Sequence, residues 1–339
     1  MVTNFTLQDL PLPLPASEML LKVLLVVAFI AHIIFVNLMV GGSIFTLVFE
    51  MIGLKDERYD LLARNLAKTI TVNKSLAVVL GVAPLLLINV LYTVFFYTAN
   101  ILTGNAWISI VPLVAGAFLL TYLHQYTWDR MSTKKILHLT FNALATGIFL
   151  SVPLIFLANI NLMLFPEKWG EVKGFGQALL MPSVLPRYFH FIAASLVLTA
   201  LFMVGFWSRA AARQQLANAG FNSDRLLRDL YLIAFLISLS QLIIGPVLLL
   251  TLPKQGLSWP LIASVGFGAM ASVPALVLMW SEITAEVPRI GRRYWSIMSL
   301  LALTTALMAS GRHLYRDQAI RSAKASVEIN STMPVGILR

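Results

Sequence analysis

Runs of residues without Asp, Glu, Lys or Arg dominate the chain, and they set its architecture. Eight emerge, at roughly 23–49, 75–102, 106–127, 136–165, 188–208, 230–252, 257–281 and 294–311. A bilayer core about 30 Å thick is crossed by ~20 helical residues rising about 1.5 Å each. No charge occurs between Lys74 and Asp129, a stretch too long for one span, and Asn100-Ile101-Leu102-Thr103-Gly104-Asn105 marks the turn inside it. The runs lack the strand-scale alternation of a barrel, so helices are the remaining way to satisfy the backbone in lipid. The expected fold is all-α: a polytopic membrane protein with eight transmembrane helices as two tandem four-helix bundles. Its boundaries would be an exposed N-terminal segment at 1–18, a first repeat at 19–166, a periplasmic loop at 167–182, a second repeat at 183–315 and an exposed basic tail at 316–339. Pro11, Pro13 and Pro15 make the first segment extended rather than helical. The N-terminus does not read as a secretory signal, since it lacks a basic n-region.

Composition agrees. The chain of 339 residues is 58% hydrophobic and only 12% charged, where a soluble domain carries about 25% charge. There is no Cys, which excludes disulfides, iron–sulfur ligation, c-type haem attachment and thiol chemistry within this chain. The net charge of +10 reports topology and anionic lipid rather than nucleic acid. Basic residues concentrate in alternate loops: Lys55, Arg58, Arg64, Lys68 and Lys74; Arg130, Lys134 and Lys135; Arg209, Arg213, Arg225 and Arg228; Arg289, Arg292 and Arg293. The intervening loops hold few. The expected location is therefore a bacterial inner membrane, with N- and C-termini periplasmic.

Four spans followed by four suggest a duplication. Gly104-Asn105-Ala106-Trp107 recurs as Gly256-Leu257-Ser258-Trp259, and each Trp is followed 21 residues later by another, Trp128 and Trp280. Lys134-Lys135 precedes Arg292-Arg293 by 158 residues, and the same offset joins His32 to His190.

Ionisable residues within a membrane are costly and mark sites. His32 lies 18 residues before Glu50, His190 lies 19 before Arg209, and His313 lies 20 after Arg293, each about 30 Å of helix from the inner boundary. These three should share a level near the outer face. His124 and His138 fall near the inner boundary on adjacent helices. Neutral imidazole is a common axial ligand of haem iron, and haem b needs no Cys. His32 and His190 are therefore expected as ligands of outer haem, with His313 supplying the remaining ligand. His124 and His138 would together hold an inner haem, giving one to three haems b in all. Zinc is disfavoured because carboxylates and Cys are missing from these levels. Each histidine also has a bland alternative, a polar residue at a span end.

The segment His32-Ile33-Ile34-Phe35-Val36-Asn37-Leu38-Met39-Val40-Gly41 resembles the first helix of the haem-bearing subunit I of cytochrome bd-type quinol oxidases. Asn73-Lys74-Ser75 with Leu80-Gly81-Val82-Ala83 resembles its second helix, and Thr127-Trp128-Asp129-Arg130 the end of its third. Arg187-Tyr188-Phe189-His190 with Ala193-Ala194-Ser195 resembles the start of its fifth. The resemblance implies haem near the outer face, quinol as electron donor, His32 as the helix-one haem ligand and His190 as the low-spin haem b ligand. The chain departs from that pattern where the family carries two glutamates serving the oxygen-reducing haem: those places hold Ala117 and a residue near Ser109. The second haem b ligand, a Met in the family, corresponds to Ser264, and the long quinol loop shrinks to Leu252-Pro253-Lys254-Gln255-Gly256.

The resulting expectation is a divergent bd-like haem b electron-transfer subunit. It would oxidise quinol and pass electrons to a periplasmic, multihaem c-type cytochrome, without itself reducing oxygen, as the membrane subunit of a quinol:cytochrome c-type oxidoreductase. The basic outer end (Arg312, Arg316, Arg321, Lys324) offers a docking surface for such a partner or for lipid headgroups. Candidate quinone contacts are Asp129 and Arg130 beside Trp128, and Gln241 within the sixth span. The alternative from another class is a cofactor-free transporter built around Pro84, Pro112, Pro153, Pro246 and Pro274, or a membrane anchor for a redox complex.

Overall fold

The computed structural model describes residues 13–288 and 290–332. Eleven α-helices follow in order: α1 (Glu18–Gly53), α2 (Tyr59–Leu91), α3 (Thr93–Thr103), α4 (Asn105–Tyr126), α5 (Lys135–Leu162), α6 (Phe175–Leu179), α7 (Val184–Trp207), α8 (Ala210–Asn218), α9 (Ser223–Thr251), α10 (Trp259–Ile283) and α11 (Arg292–Thr332). There is no strand among the described residues. Eight helices, α1, α2, α4, α5, α7, α9, α10 and α11, are long and apolar enough to cross a membrane. Their large outward apolar side chains, such as Val111, Leu119, Ile243, Leu250 and Trp259, are exposed, as a lipid-facing surface requires.

The helices pack as two groups. α1 lies along α2, α4 along α5, α7 along α9 and α10 along α11, with α1 crossing to α7 and touching α11. The α1–α7 crossing is close: a Cβ on Gly41 would collide with the Ser195 carbonyl and the Thr199 hydroxyl, so the two backbones meet only because the side chain is absent. Ser195 Oγ donates to Asn37 Oδ1 at 3.0 Å across the same junction. One core cluster, with Phe49, Leu62, Trp207, Tyr231 and Met279, joins both groups at their basic-loop ends, the ends expected to face inward. A second, with Leu25, Phe96, Leu162, Leu261 and Tyr315, joins their outer ends.

Two segments differ from the charge-defined expectation. Residues 59–74, with their basic side chains, belong to α2 rather than to a loop: Leu62, Ala63, Leu66, Ala67 and Ile70 recur at helical spacing and are buried. Lys74, expected as a loop cation, is fully buried within α2, its Nζ 3.4 Å from the centroid of the Tyr122 ring and 3.5 Å from the Phe118 carbonyl. The chain after 315 is likewise not a loose tail. α11 runs on to Thr332, and Arg316, Ala319 and Ile320 are buried, because this last stretch packs beneath the loop that joins α9 to α10 and against α1. Lys22 of α1 pairs with Asp317 at 2.6 Å there. The 167–182 connection folds over the outer end, with Trp169 set edge-on against Phe95. Of the N-terminal segment, residues 13–17 are non-helical and exposed; Pro11 lies outside the described residues, as do Arg289 and residues 333–339.

Candidate functional site

Polar side chains inside the helical groups gather at two levels. The outer level is set by α1, α7 and α11. His32 is part-buried on α1 and packs against α2, where Gly81 leaves room for the ring: a Cβ there would stand 2.8 Å from Cε1. His32 Nδ1 lies 2.8 Å from the Ala77 carbonyl, an oxygen that can only accept, so Nδ1 carries the hydrogen. Nε2 is then the lone-pair nitrogen, and it makes no hydrogen bond among the described residues. This is how a metal-ligating imidazole is usually fixed, through its other nitrogen.

His190 starts from the corresponding place on α7. Its Nδ1 is buried without a hydrogen-bond partner. Gln241 of α9 is near enough to interact with it, yet both polar atoms of that amide are buried and unpartnered too. Polar groups in a low-dielectric interior need partners, and His190 and Gln241 have only each other within reach among the described residues.

Around these imidazoles stands a group of arginines with few counter-charges. Arg187, Arg312 and Arg316 lie within electrostatic reach of one another, and Arg312 within reach of His32. Their guanidinium groups sit on aromatic faces, Arg312 over Phe29 at 4.4 Å, Arg316 over Tyr92 at 5.1 Å and Arg187 over Tyr315 at 5.9 Å. Asp317 is the nearby acid, and it is shared with Lys22 and Arg321. Arg316 Nε is buried without a partner. Arg312 and Arg316 therefore belong to the interior, and of the four cations expected on an outer docking surface only Arg321 and Lys324 are exposed. His313 follows Arg312 but is engaged differently: its Nδ1 accepts from Arg316 Nη2 at 3.3 Å, which leaves the hydrogen on Nε2.

The donor set suits a haem. A lone-pair imidazole nitrogen on α1 with an excess of guanidinium groups near it matches an iron porphyrin that bears two carboxylates, and His190 offers a separate buried imidazole on α7. α4 carries no acid at Ala117, which is fully buried, or near Ser109, whose Oγ donates to the Ala106 carbonyl at 2.7 Å. Ser264 Oγ is likewise committed, donating to the Leu307 carbonyl at 2.7 Å.

The inner level joins α1, α4 and α5. Glu50 is buried at the end of α1, and its carboxylate meets His124 Nε2 at 2.9 Å, His138 Nδ1 at 2.5 Å and Asn142 Nδ2 at 2.9 Å. His138 Nε2 donates to the His124 carbonyl at 2.8 Å. The two imidazoles stack with centroids 4.1 Å apart, and Trp128 stands edge-on to both. Where the sequence leads to a haem between His124 and His138, the two rings stack on each other and share Glu50. The stacked rings leave no gap for a porphyrin plane, and both nitrogens of His138 are already bonded. Depth in the chain brought the pair together correctly, but their partner is Glu50, which had served only as a boundary marker.

The quinone candidates do not assemble. Asp129 and Arg130 are exposed at the inner rim, with Asp129 paired to Arg64 at 2.5 Å, whereas Gln241 sits beside His190. The interior placement of the arginine group and of Lys74 is not legible in the sequence, where a charge marks the end of a span. The one usable signal was Arg187, three residues before His190 and inside its helix.

The sequence profile of the family described as cytochrome bd terminal oxidase subunit I matches residues 20–255. Among solved structures, the bd oxidase from Geobacillus thermodenitrificans superposes with a TM-score of 0.64 at 15% identity, covering 92% of this chain and 86% of that one. No curated protein matches at the sequence level. With more than half its length matched by that profile and its helices arranged as in a bd oxidase, the chain belongs to the cytochrome bd terminal oxidase subunit I family.

Proposed function

We propose that this chain is a haem b-bearing electron-transfer subunit of a bacterial inner membrane, which takes electrons from quinol and hands them to a periplasmic cytochrome c without reducing oxygen itself. Family membership supplies the coarser assignment, a membrane haem subunit of quinol oxidase type. The observation that carries the haem assignment is His32, with Nδ1–H tied to the Ala77 carbonyl and Nε2 without a partner among the described residues. His32 and His190 would hold haem iron through an imidazole nitrogen, and Arg187, Arg312 and Arg316 would hold its propionate carboxylates by charge-assisted hydrogen bonds. Haem b bound there supplies reversible one-electron storage between potentials set by its ligands and surroundings. Phe29, Tyr92 and Tyr315 cover the arginines and keep water from screening them. His313 would ligate only after moving its proton from Nε2, so its present part is to orient Arg316.

The exclusion of oxygen chemistry rests on Ala117 and Ser109. Reducing oxygen needs a proton for every electron delivered, and the helix that would carry them to the outer level holds no titratable side chain at those positions. A cytochrome partner is supported by the exposed Arg321 and Lys324 at the outer end, which would steer an anionic protein surface. The concentration of basic residues at the opposite end supports termini on the outer side. The test is the purified protein in detergent. Reduction by a short-chain quinol should develop haem b absorbance, Ala at His32 or His190 should lower haem content, and oxygen uptake with quinol should stay at background. Robust oxygen consumption would overturn the non-oxidase part of the reading.

A further inference from the structure

We propose that Glu50, His124 and His138 form a buried proton-holding site at the inner end of the first helical group, which keeps one exchangeable proton between Glu50 and His138 and fills from the inner aqueous face.

Counting hydrogens along the contacts carries the inference. The His124 carbonyl can only accept, so His138 Nε2 must bear a hydrogen. The contact between His138 Nδ1 and Glu50 Oε1 contains one further hydrogen, wherever along it that hydrogen sits. The contact between His124 Nε2 and Glu50 Oε2 contains a third. A carboxylate with two neutral imidazoles would bring only two. The cluster therefore holds at least one extra proton, either as imidazolium beside carboxylate or as neutral imidazole beside carboxylic acid. Both forms have the same net charge, zero, which is what a buried site tolerates. Asn142 Nδ2 donates to Glu50 Oε2 in either form and so does not choose between them.

The surroundings give the proton a way in and somewhere to go. On the water side, Glu57 is exposed and shares Lys135 with Asp60, at 3.1 and 2.9 Å, and Asp60 lies within electrostatic reach of His138. On the membrane side, Ser43, Thr46, Thr121 and Asn142 line a cavity of about 10 Å³ beside His124, close to the space one water needs. Thr146 Oγ1 extends the polar line, 3.4 Å from Asn142 Oδ1 and from the Ser43 carbonyl. The charged groups that face the cluster are Asp60 from α2, Lys135 from α5 and Glu57 from the α1–α2 turn, with the Arg64–Asp129 pair at the rim near Trp128. From α7, Met203 and Trp207 cluster with Phe49 at this level and carry no charge.

The site stands whether or not haem is bound at the outer level, so its test needs no cofactor. Protein labelled with 15N-histidine, reconstituted in lipid, is read by solid-state NMR and by infrared spectroscopy at neutral pH. The wild type should show one histidine with hydrogen on both nitrogens, or one with a bare Nδ1 together with a protonated carboxyl band. Deuterium from water should enter that signal, and D60N should slow the entry. In E50Q the doubly protonated imidazole or the carboxyl band should vanish, and E50D should restore it. Wild-type protein whose five histidines are all neutral beside a fully ionised carboxylate overturns the proposal without recourse to any variant. So does a divalent metal that copurifies at one per chain and is lost in E50Q, since metal would then take the place of the protons. A colourless preparation that still shows the extra proton would refute the haem assignment and leave this one intact.

Discussion

Gly81→Ala tests the outer site without touching a ligand. The new Cβ would lie 2.8 Å from His32 Cε1 and 3.0 Å from Nδ1, where ordinary contact begins near 3.4 Å, so the ring must retreat by about 0.6 Å. Ala77 sits one turn earlier on the same face of α2. A retreat of that size takes the Nδ1 contact from 2.8 Å towards about 3.4 Å, past the range of a good hydrogen bond. Losing it removes about 1 kcal/mol of orientation, and loosening such an outer support of a metal ligand typically weakens metal binding about 10- to 100-fold. The assay is the haem-to-protein ratio by pyridine haemochrome, with the reduced visible spectrum beside it. Gly116→Ala is the control, because a Cβ there meets nothing within 4 Å. Wild-type haem content and an unshifted spectrum in G81A, with the protein folded, would refute the placement of haem against this face of His32.

The other expectations concern stability and are read from thermal unfolding in one detergent. Glu50→Ala strands two imidazoles and an amide and should cost about 3–5 kcal/mol, the usual penalty for breaking a buried charged set, whereas Glu50→Gln keeps an acceptor and should cost less than half of that. Gly41→Ala drives a methyl into the Ser195 carbonyl and should cost about 1–3 kcal/mol as an overpacked helix crossing. Lys74→Met should raise the unfolding temperature, since it replaces a buried ammonium that has only ring faces and one long carbonyl contact by an apolar chain of similar length. Asp317→Ala should loosen α11 from α1 by about 1 kcal/mol, leaving Lys22 only the more exposed Glu18, and the loss should shrink in high salt.

The span count was legible because a membrane enforces one pattern, and repeated charge-free runs of about 20 residues rarely arise in any other solvent. The ends of the spans were not. Residues 59–74 carry charges yet stay helical, since helix continues for as long as one face finds a partner, and Leu62, Leu66 and Ile70 find one in the core. Charge misleads in the same way at the C-terminal side, where Ala319 and Ile320 are buried although Arg316, Asp317 and Arg321 stand close by in the chain. Among the site residues, counting helical rise from the basic boundary put His124 and His138 at one level and His32 at the other. It could not say which way a ring turns, and rotation decides chemistry: His32 presents a free nitrogen while His138 spends both. Glu50 and the arginines were missed for one reason. Charge in a sequence reads as a mark of water, whereas hydrogen-bond partners keep Glu50 inside and aromatic faces cover the arginines.

That imidazoles of α1 and α7 grip iron is open to a single decisive spectrum. It is the dithionite-reduced minus oxidised visible difference of the purified protein, taken for wild type, His32→Ala and His190→Ala at equal protein concentration. Haem b bands are expected in the wild type, with a stepwise loss of haem in each variant while the fold is retained. A colourless wild type, or full haem content in both variants, would show that these two histidines hold no iron.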